Sequence, residues 1–124
     1  MDVLTHLMFQ DGTAHEAVRR YVDLIPGSSI DEVVGPDGTG QLLRFTLAGR
    51  PFIAFDSPPV HDFGFTPATS NYLLCDTPED VDRVFAGLSD GGAVLMPVGE
   101  YDFNARYGWC TDRYGVSWQV GLSD

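Results

Sequence analysis

In Arg106-Tyr107-Gly108-Trp109-Cys110-Thr111-Asp112-Arg113-Tyr114-Gly115-Val116-Ser117-Trp118-Gln119-Val120, two runs of aromatic and β-branched residues flank Asp112-Arg113-Tyr114-Gly115. The Asp and Gly of that tetrapeptide suit a tight turn, so the segment is expected to form two antiparallel strands. Strand alternation then puts Ser117 and Gln119 on one face and Val116, Trp118 and Val120 on the other, with Trp118 in the core against a helix.

Working outward, Thr69 to Cys75 has the composition of a strand, and Thr77-Pro78-Glu79-Asp80 opens a helix with Pro at its first position. Val81, Val84, Phe85 and Leu88 form that helix's apolar stripe, and Gly91-Gly92 ends it. Strands are expected at Ala93 to Pro97, Arg106 to Thr111 and Val116 to Gly121, with Val98 to Ala105 as a loop. The first half follows the same plan. Val3 to Phe9 is an apolar, strand-length run that includes His6. Thr13-Ala14-His15-Glu16 has the form of a capping box, and the stripe Ala14, Ala17, Val18, Tyr21, Val22, Ile25 predicts a helix over about 14–24, stopped by Pro26-Gly27. Strands follow at Ser29 to Val34, Gln41 to Leu47 and Arg50 to Phe55. A Pro- and Gly-containing loop from Asp56 to Pro67 divides the halves.

A constant offset of 64 residues carries Thr13 to Thr77, Glu16 to Asp80, Ala17 to Val81, Tyr21 to Phe85 and Leu24 to Leu88. The pattern repeats, although the identities do not. The expectation is an α+β fold of two βαβββ units, at about 1–56 and 69–124, joined by a loop into a single domain. Each unit covers one sheet face with its helix, and two free faces can enclose a cavity.

Composition narrows the partners. Seven Arg and no Lys stand against eighteen acidic residues, a formal net charge of -11, which repels nucleic acid and anionic lipid surfaces. The chain is 44% hydrophobic and 20% charged, as in soluble globular proteins, and no apolar run reaches the roughly 20 residues of a membrane span. Met1-Asp2-Val3 has no signal-peptide character, and Cys75 and Cys110 lie in apolar runs without metal-ligand spacing. Reduced thiols in a cytoplasmic protein are expected, a disulfide between neighbouring strands being the alternative. The glycines of Gly35-Pro36-Asp37-Gly38-Thr39-Gly40 invite comparison with a phosphate loop. No helical stripe follows them, and neither a P-loop Lys nor GxGxxG spacing is present, so a turn between strands is expected.

The duplicated βαβββ plan resembles the vicinal oxygen chelate superfamily, which includes glyoxalase I, extradiol dioxygenases and bleomycin- and fosfomycin-resistance proteins. Within it the chain resembles the PhnB-like family, also labelled 3-demethylubiquinone-9 3-methyltransferase-like. The carriers are Gly108 to Val120, similar to that family's Gly-Trp-x-x-Asp-x-Tyr/Phe-Gly-Val-Ser-Trp-Gln, Cys75-Asp76-Thr77-Pro78-Glu79-Asp80-Val81-Asp82, and Asp11-Gly12 with Glu16-Ala17 and Tyr21. The label's methyl transfer is not expected, because no Gly-rich strand-to-helix turn with a following acidic residue is present to hold a methyl donor such as S-adenosylmethionine.

The resemblance also implies where a metal would sit, since metal-dependent members place four His or Glu ligands on the free sheet faces. His6 matches the first position, Ser70 the third with Asn71 beside it, and Gln119 the fourth; the second falls near Ala54, with Asp56 close by. Ser, Gln and Ala are poor ligands for a divalent cation, so no cofactor is expected, and a metal, if bound, would rest on His6 and Asp56. Without metal, His6 can act as a general base, with Ser70, Asn71 and Gln119 as hydrogen-bond donors. Trp109, Tyr101, Phe103 and Tyr107, on or near the 98–105 loop, are candidates for ligand contact. Two readings follow: a metal-free protein binding a small organic molecule in a cavity formed by the two units or by a homodimer, or a metal-dependent or His-based lyase, isomerase or dioxygenase. A homodimer is expected in either case.

Overall fold

Ten elements run in two successive series of strand, helix and three strands. The computed structural model describes residues 1–124, and the chain divides into units Met1–Gly64 and Phe65–Asp124. Unit 1 comprises β1 (Thr5–Phe9), α1 (Ala14–Leu24), β2 (Ser29–Val34), β3 (Leu42–Leu47) and β4 (Arg50–Asp56). Unit 2 comprises β5 (Asn71–Cys75), α2 (Pro78–Ser89), β6 (Ala93–Tyr101), β7 (Asn104–Thr111) and β8 (Ser117–Leu122). The sheet orders are β1-β4-β3-β2 and β5-β8-β7-β6, so each is an antiparallel meander whose last strand takes the unit's first strand as a parallel neighbour. No helix is long and apolar enough to cross a membrane.

The helices bury the stripes that predicted them. Ala14, Ala17, Val18 and Tyr21 of α1 lie against Leu43, Phe45, Phe52 and Ala54, the buried positions of β3 and β4. In unit 2, Val81, Val84, Phe85 and Leu88 are buried with Cys110, Trp118 and Val120, and Trp118 is 0% exposed. Gly108 permits this approach: a Cβ there would lie 2.7 Å from the Phe85 ring and 2.9 Å from Val98. Both cysteines are free thiols. Burial, and then the neighbouring Asp112, pushes Cys110 up to about 12, so it is no thiolate nucleophile at neutral pH.

The helix starts differ. Thr77 caps α2 as expected, its hydroxyl accepting from Asp80 N–H at 3.2 Å. Thr13 makes no side-chain cap on α1; Asp56, at the end of β4, accepts from Ala14 N–H at 3.0 Å instead. A buried carboxylate held at the positive end of a helix supplants the local hydroxyl. The 98–105 segment is also not a loop. β6 and β7 form a hairpin through Tyr101↔Asn104, and register shifts at Val94/Met96, Met96/Gly99 and Gly99/Tyr101 accommodate Pro97 and Gly99, which hide the strand in the sequence.

The β7–β8 turn is organised by Asp112, which is 5% exposed. Its Oδ1 accepts from Tyr114 N–H at 2.9 Å and Val116 N–H at 3.0 Å, and its Oδ2 accepts from the Trp118 indole at 2.9 Å. Gly115 takes φ +92 to close the turn. Asp112→Ala leaves these buried donors without their carboxylate. It is expected to lower the unfolding free energy by about 3 kcal/mol or more in urea denaturation, and a change below about 1 kcal/mol would show that the turn stands without it.

Asp56 is 0% exposed, and its Oδ2 has no partner; neither does Oε1 of Gln41, whose carbonyl accepts from Asp56 N–H. Burial, opposed by the Ala14 N–H and assisted by nearby Asp37, raises the Asp56 pKa. The folded protein therefore holds this proton more tightly than the unfolded chain. The associated stability is fully present below about pH 4 and is lost as pH rises through the folded value. Asp56→Asn keeps an oxygen for Ala14 N–H and carries no titrating proton. Its stability relative to wild type is expected to improve progressively above pH 4, and parallel pH profiles for the two proteins would refute this account.

Candidate functional site on the free face of unit 2

Alternation in unit 2 turns Trp118 and Val120 toward α2 and leaves Ser117 and Gln119 on the opposite face. The pairings Tyr107↔Gly121, Trp109↔Gln119, Thr111↔Ser117 and Tyr72↔Gln119 bring β7 and β5 side chains onto that face beside them. Two hydrogen-bonded groups result. The Tyr107 hydroxyl donates to Gln119 Oε1 at 2.5 Å. The Trp109 indole donates to Ser117 Oγ at 2.9 Å, and Ser117 Oγ shares a hydrogen bond with Ser70 Oγ at 2.6 Å.

Aromatic rings gather around Tyr107. Phe103 and Tyr101 meet it edge to face at centroid distances of 4.8 and 5.6 Å, Tyr72 lies 6.0 Å away, and Tyr101 stacks on Phe103 at 5.7 Å. The Tyr101 hydroxyl donates to the Pro97 carbonyl, which ties its ring to β6. Tyr107 is 3% exposed, and burial, followed by the proximity of Tyr72 and Tyr101, raises its phenol above the ordinary tyrosine value. It therefore remains a donor at neutral pH. Glycines flank it in both neighbouring strands: Gly99 faces open space, while Gly121 lies where Asn104 and the Tyr72 hydroxyl approach.

The sequence-derived candidates separate by unit and by face. Ser70, Gln119, Trp109, Tyr101 and Phe103 belong to the unit 2 cluster just described. Asn71 pairs with buried Trp118 and takes the helix side of β5, away from that cluster. In unit 1, His6 is exposed on the face opposite α1, its ring 6.5 Å from Phe55. Ala54 and Asp56 point the other way, toward α1. Tyr72 was not identified from the sequence, where nothing separates it from the apolar residues around it; the β5–β8 register reveals it.

These residues do not fit a divalent cation. On its free face unit 1 carries His6 together with Asp31 and Glu32 of β2, which are held by Ser29 and Thr46 and by Arg44, and the Asp56 carboxylate is turned to the α1 N-terminus. Unit 2 offers a hydroxyl and an amide already engaged with Ser117 and Tyr107. No group of three His, Cys, Asp or Glu side chains is placed so that it could hold a metal ion. A separate concavity of about 480 Å³ runs along the outer side of α1, where Glu16, Asp23 and Asp37 alternate with Arg19 and Arg20. It has the mixed charge of a solvated helix face.

Two four-stranded sheets, each with one helix in a βαβββ unit, define a fold of the glyoxalase/bleomycin-resistance class. Solved structures agree: a glyoxylase/bleomycin resistance protein/dioxygenase domain from Frankia has a TM-score of 0.69 at 15% identity, covering 100% of this chain and 98% of that one. Residues 1–121 match the family described as 3-demethylubiquinone-9 3-methyltransferase, and the chain belongs to that PhnB-like family. A PhnB protein from Bacillus cereus shares 42% identity, covering 99% of this chain and 100% of that one, with a TM-score of 0.92. Protein PA1353 from Pseudomonas aeruginosa shares 25%, covering 99% and 98%, with a TM-score of 0.85. No curated protein matches the chain.

The close approach at Gly121 gives the site a testable scaffold. A Cβ there would lie 2.9 Å from Asn104 Nδ2, and Asn104 cannot yield easily because it holds both the N–H and the carbonyl of Leu122 as well as Arg106 N–H. Gly121→Ala is expected to cost about 1–3 kcal/mol in urea denaturation. Gly99→Ala, with no atom within 4 Å of the added carbon, should cost much less. Equal costs for the two would contradict this packing.

Proposed function

We propose that this protein binds a small planar organic molecule on the free face of unit 2, without a metal. The supporting observation is the juxtaposition, on one sheet face, of the Tyr72–Tyr101–Phe103–Tyr107 rings with the fixed polar groups of Gln119, Ser117 and Ser70. Rings of this kind contribute contact area and edge or face interactions to a flat ligand, and a few anchored polar groups set its orientation. The hydrogen bonds among Tyr107, Gln119, Trp109 and Ser117 hold these groups in place before any ligand arrives, which lowers the entropy cost of binding.

The enzyme reading has less support. A base at His6 needs a second positioned group beside it, and its neighbour on the free face of unit 1 is the apolar ring of Phe55. The methyl transfer in the family's description is not part of this proposal.

Titration with naphthalene, followed by backbone amide shifts, tests the reading. Saturable shifts are expected at Tyr72, Tyr107 and Gln119, and Tyr72→Ala should weaken binding by about fivefold, the worth of one aromatic contact. Shifts confined to unit 1 or to α2 would sink it.

A further inference from the structure

The hydrogen-bond polarity of the unit 2 face restricts its ligand, an inference that rests on the small-molecule reading above. Tyr107, which stays a protonated phenol, donates to Gln119 Oε1 and so sets the orientation of the amide. The carbonyl end is occupied, and the Nε2 end, which donates to no group of the protein, is left available.

The serine pair reaches the same polarity by a different route. Ser117 Oγ already accepts from Trp109, and one hydroxyl hydrogen lies between Ser117 and Ser70, so the other is undirected whichever serine donates. Ser117 is 2% exposed and Ser70 is half-buried. The arrangement that idles no buried donor has Ser117 donating to Ser70, leaving the Ser70 hydroxyl hydrogen free to turn outward. Both polar anchors therefore present donors, about 7 Å apart along the strand direction.

Charge narrows the class further. The three arginines of unit 2 are paired with acidic partners on or just beyond α2: Arg83 with Asp80, Arg106 with Asp82 at 2.7 Å, and Arg113 with Asp90 at 3.0 Å. No arginine of unit 2 is left without an acidic partner to balance an anionic ligand over the rings. We infer that the unit 2 face selects an uncharged planar compound bearing a carbonyl-type oxygen, which accepts from Gln119 Nε2, while a second acceptor on the same compound meets the Ser70 hydroxyl.

Three probes of similar size and flatness test this: naphthalene, with no acceptor; coumarin, an uncharged lactone; and coumarin-3-carboxylate, its anion-bearing relative. Equilibrium dialysis with the full-length protein is expected to show coumarin binding about tenfold tighter than naphthalene, the worth of one well-made hydrogen bond. The carboxylate should bind more weakly than coumarin. Gln119→Glu replaces the N–H donors with an acceptor and should abolish coumarin's advantage over naphthalene. Gln119→Leu, which can neither donate nor carry charge, should do the same and serves if the first variant misfolds. Equal affinities for naphthalene and coumarin in the wild type, with amide shifts still at Tyr72 and Tyr107, would overturn the donor inference and leave the site reading standing. Tighter binding of the carboxylate would overturn the requirement for an uncharged ligand. Failure of both neutral probes to shift those amides would remove the site and this inference together.

Discussion

A carboxylate removed from water must be met by donors, and Asp112 meets this requirement inside the chain's most distinctive segment. Two backbone N–H groups and the Trp118 indole converge on it, so that the turn, the start of β8 and the largest core side chain are joined at one point. The register of β7 on β8 follows from that closure. Because side chains alternate along a strand, a slip of one residue would exchange Trp118 and Gln119 between the two faces. The pairs Trp109↔Gln119 and Thr111↔Ser117 thus give the polar face its composition at the same time as they give the core its tryptophan. Fold and candidate site in unit 2 are two consequences of one buried charge.

Unit 1 uses its own buried carboxylate differently. Asp56 is spent on the first turn of α1, at the end of the strand where a metal site would need an acidic ligand facing the other way. The helix N-terminus offers partial compensation for the burial, but one oxygen is left without a donor, and the raised pKa is the physical trace of that shortfall. The same unit therefore has a titratable group that influences its stability, while its free face carries the His6 imidazole and the Glu32–Arg44 pair. The contrast with unit 2 lies in what each repeat places on the face its helix leaves free.

Much of this was legible in the sequence, and the misreadings have identifiable causes. The apolar stripes located both helices, and the offset of 64 residues between halves carried His6 to Ser70, whereas the contact of Ser70 with Ser117 comes from the β5–β8 pairing. The cap of α1 was misread because the local Thr13 pattern competes with a carboxylate 42 residues away, a partner that no local rule can find. Pro97 and Gly99 break the alternation of the β6–β7 hairpin at its bulges and give that segment the sequence character of a loop. Asn71 and Ser70 are adjacent, and a single step along a strand exchanges the faces, so their separation needed the β5–β8 register. Tyr72 carried no signal of its own; its proximity to Tyr107 arises from β5 lying parallel to β8, a long-range pairing.

The chemistry of the unit 2 face also bears on how such a site would behave across conditions. A metal-chelating site binds through ligands that must shed protons, and its affinity falls as pH falls. The anchors here are an amide, two hydroxyls, an indole and a phenol whose ionisation is pushed further above its usual range by burial. None of them changes charge in the range where proteins ordinarily work. Recognition built from these groups is insensitive to pH in that range and, lacking formal charge, insensitive to salt. Its selectivity must come from shape and from the direction of a few hydrogen bonds. That places the burden on Tyr107: its hydroxyl orients the Gln119 amide, its ring holds Tyr101 and Phe103 edge to face, Gly99 leaves open space beside it, and Gly121 lets Asn104 and the Tyr72 hydroxyl approach.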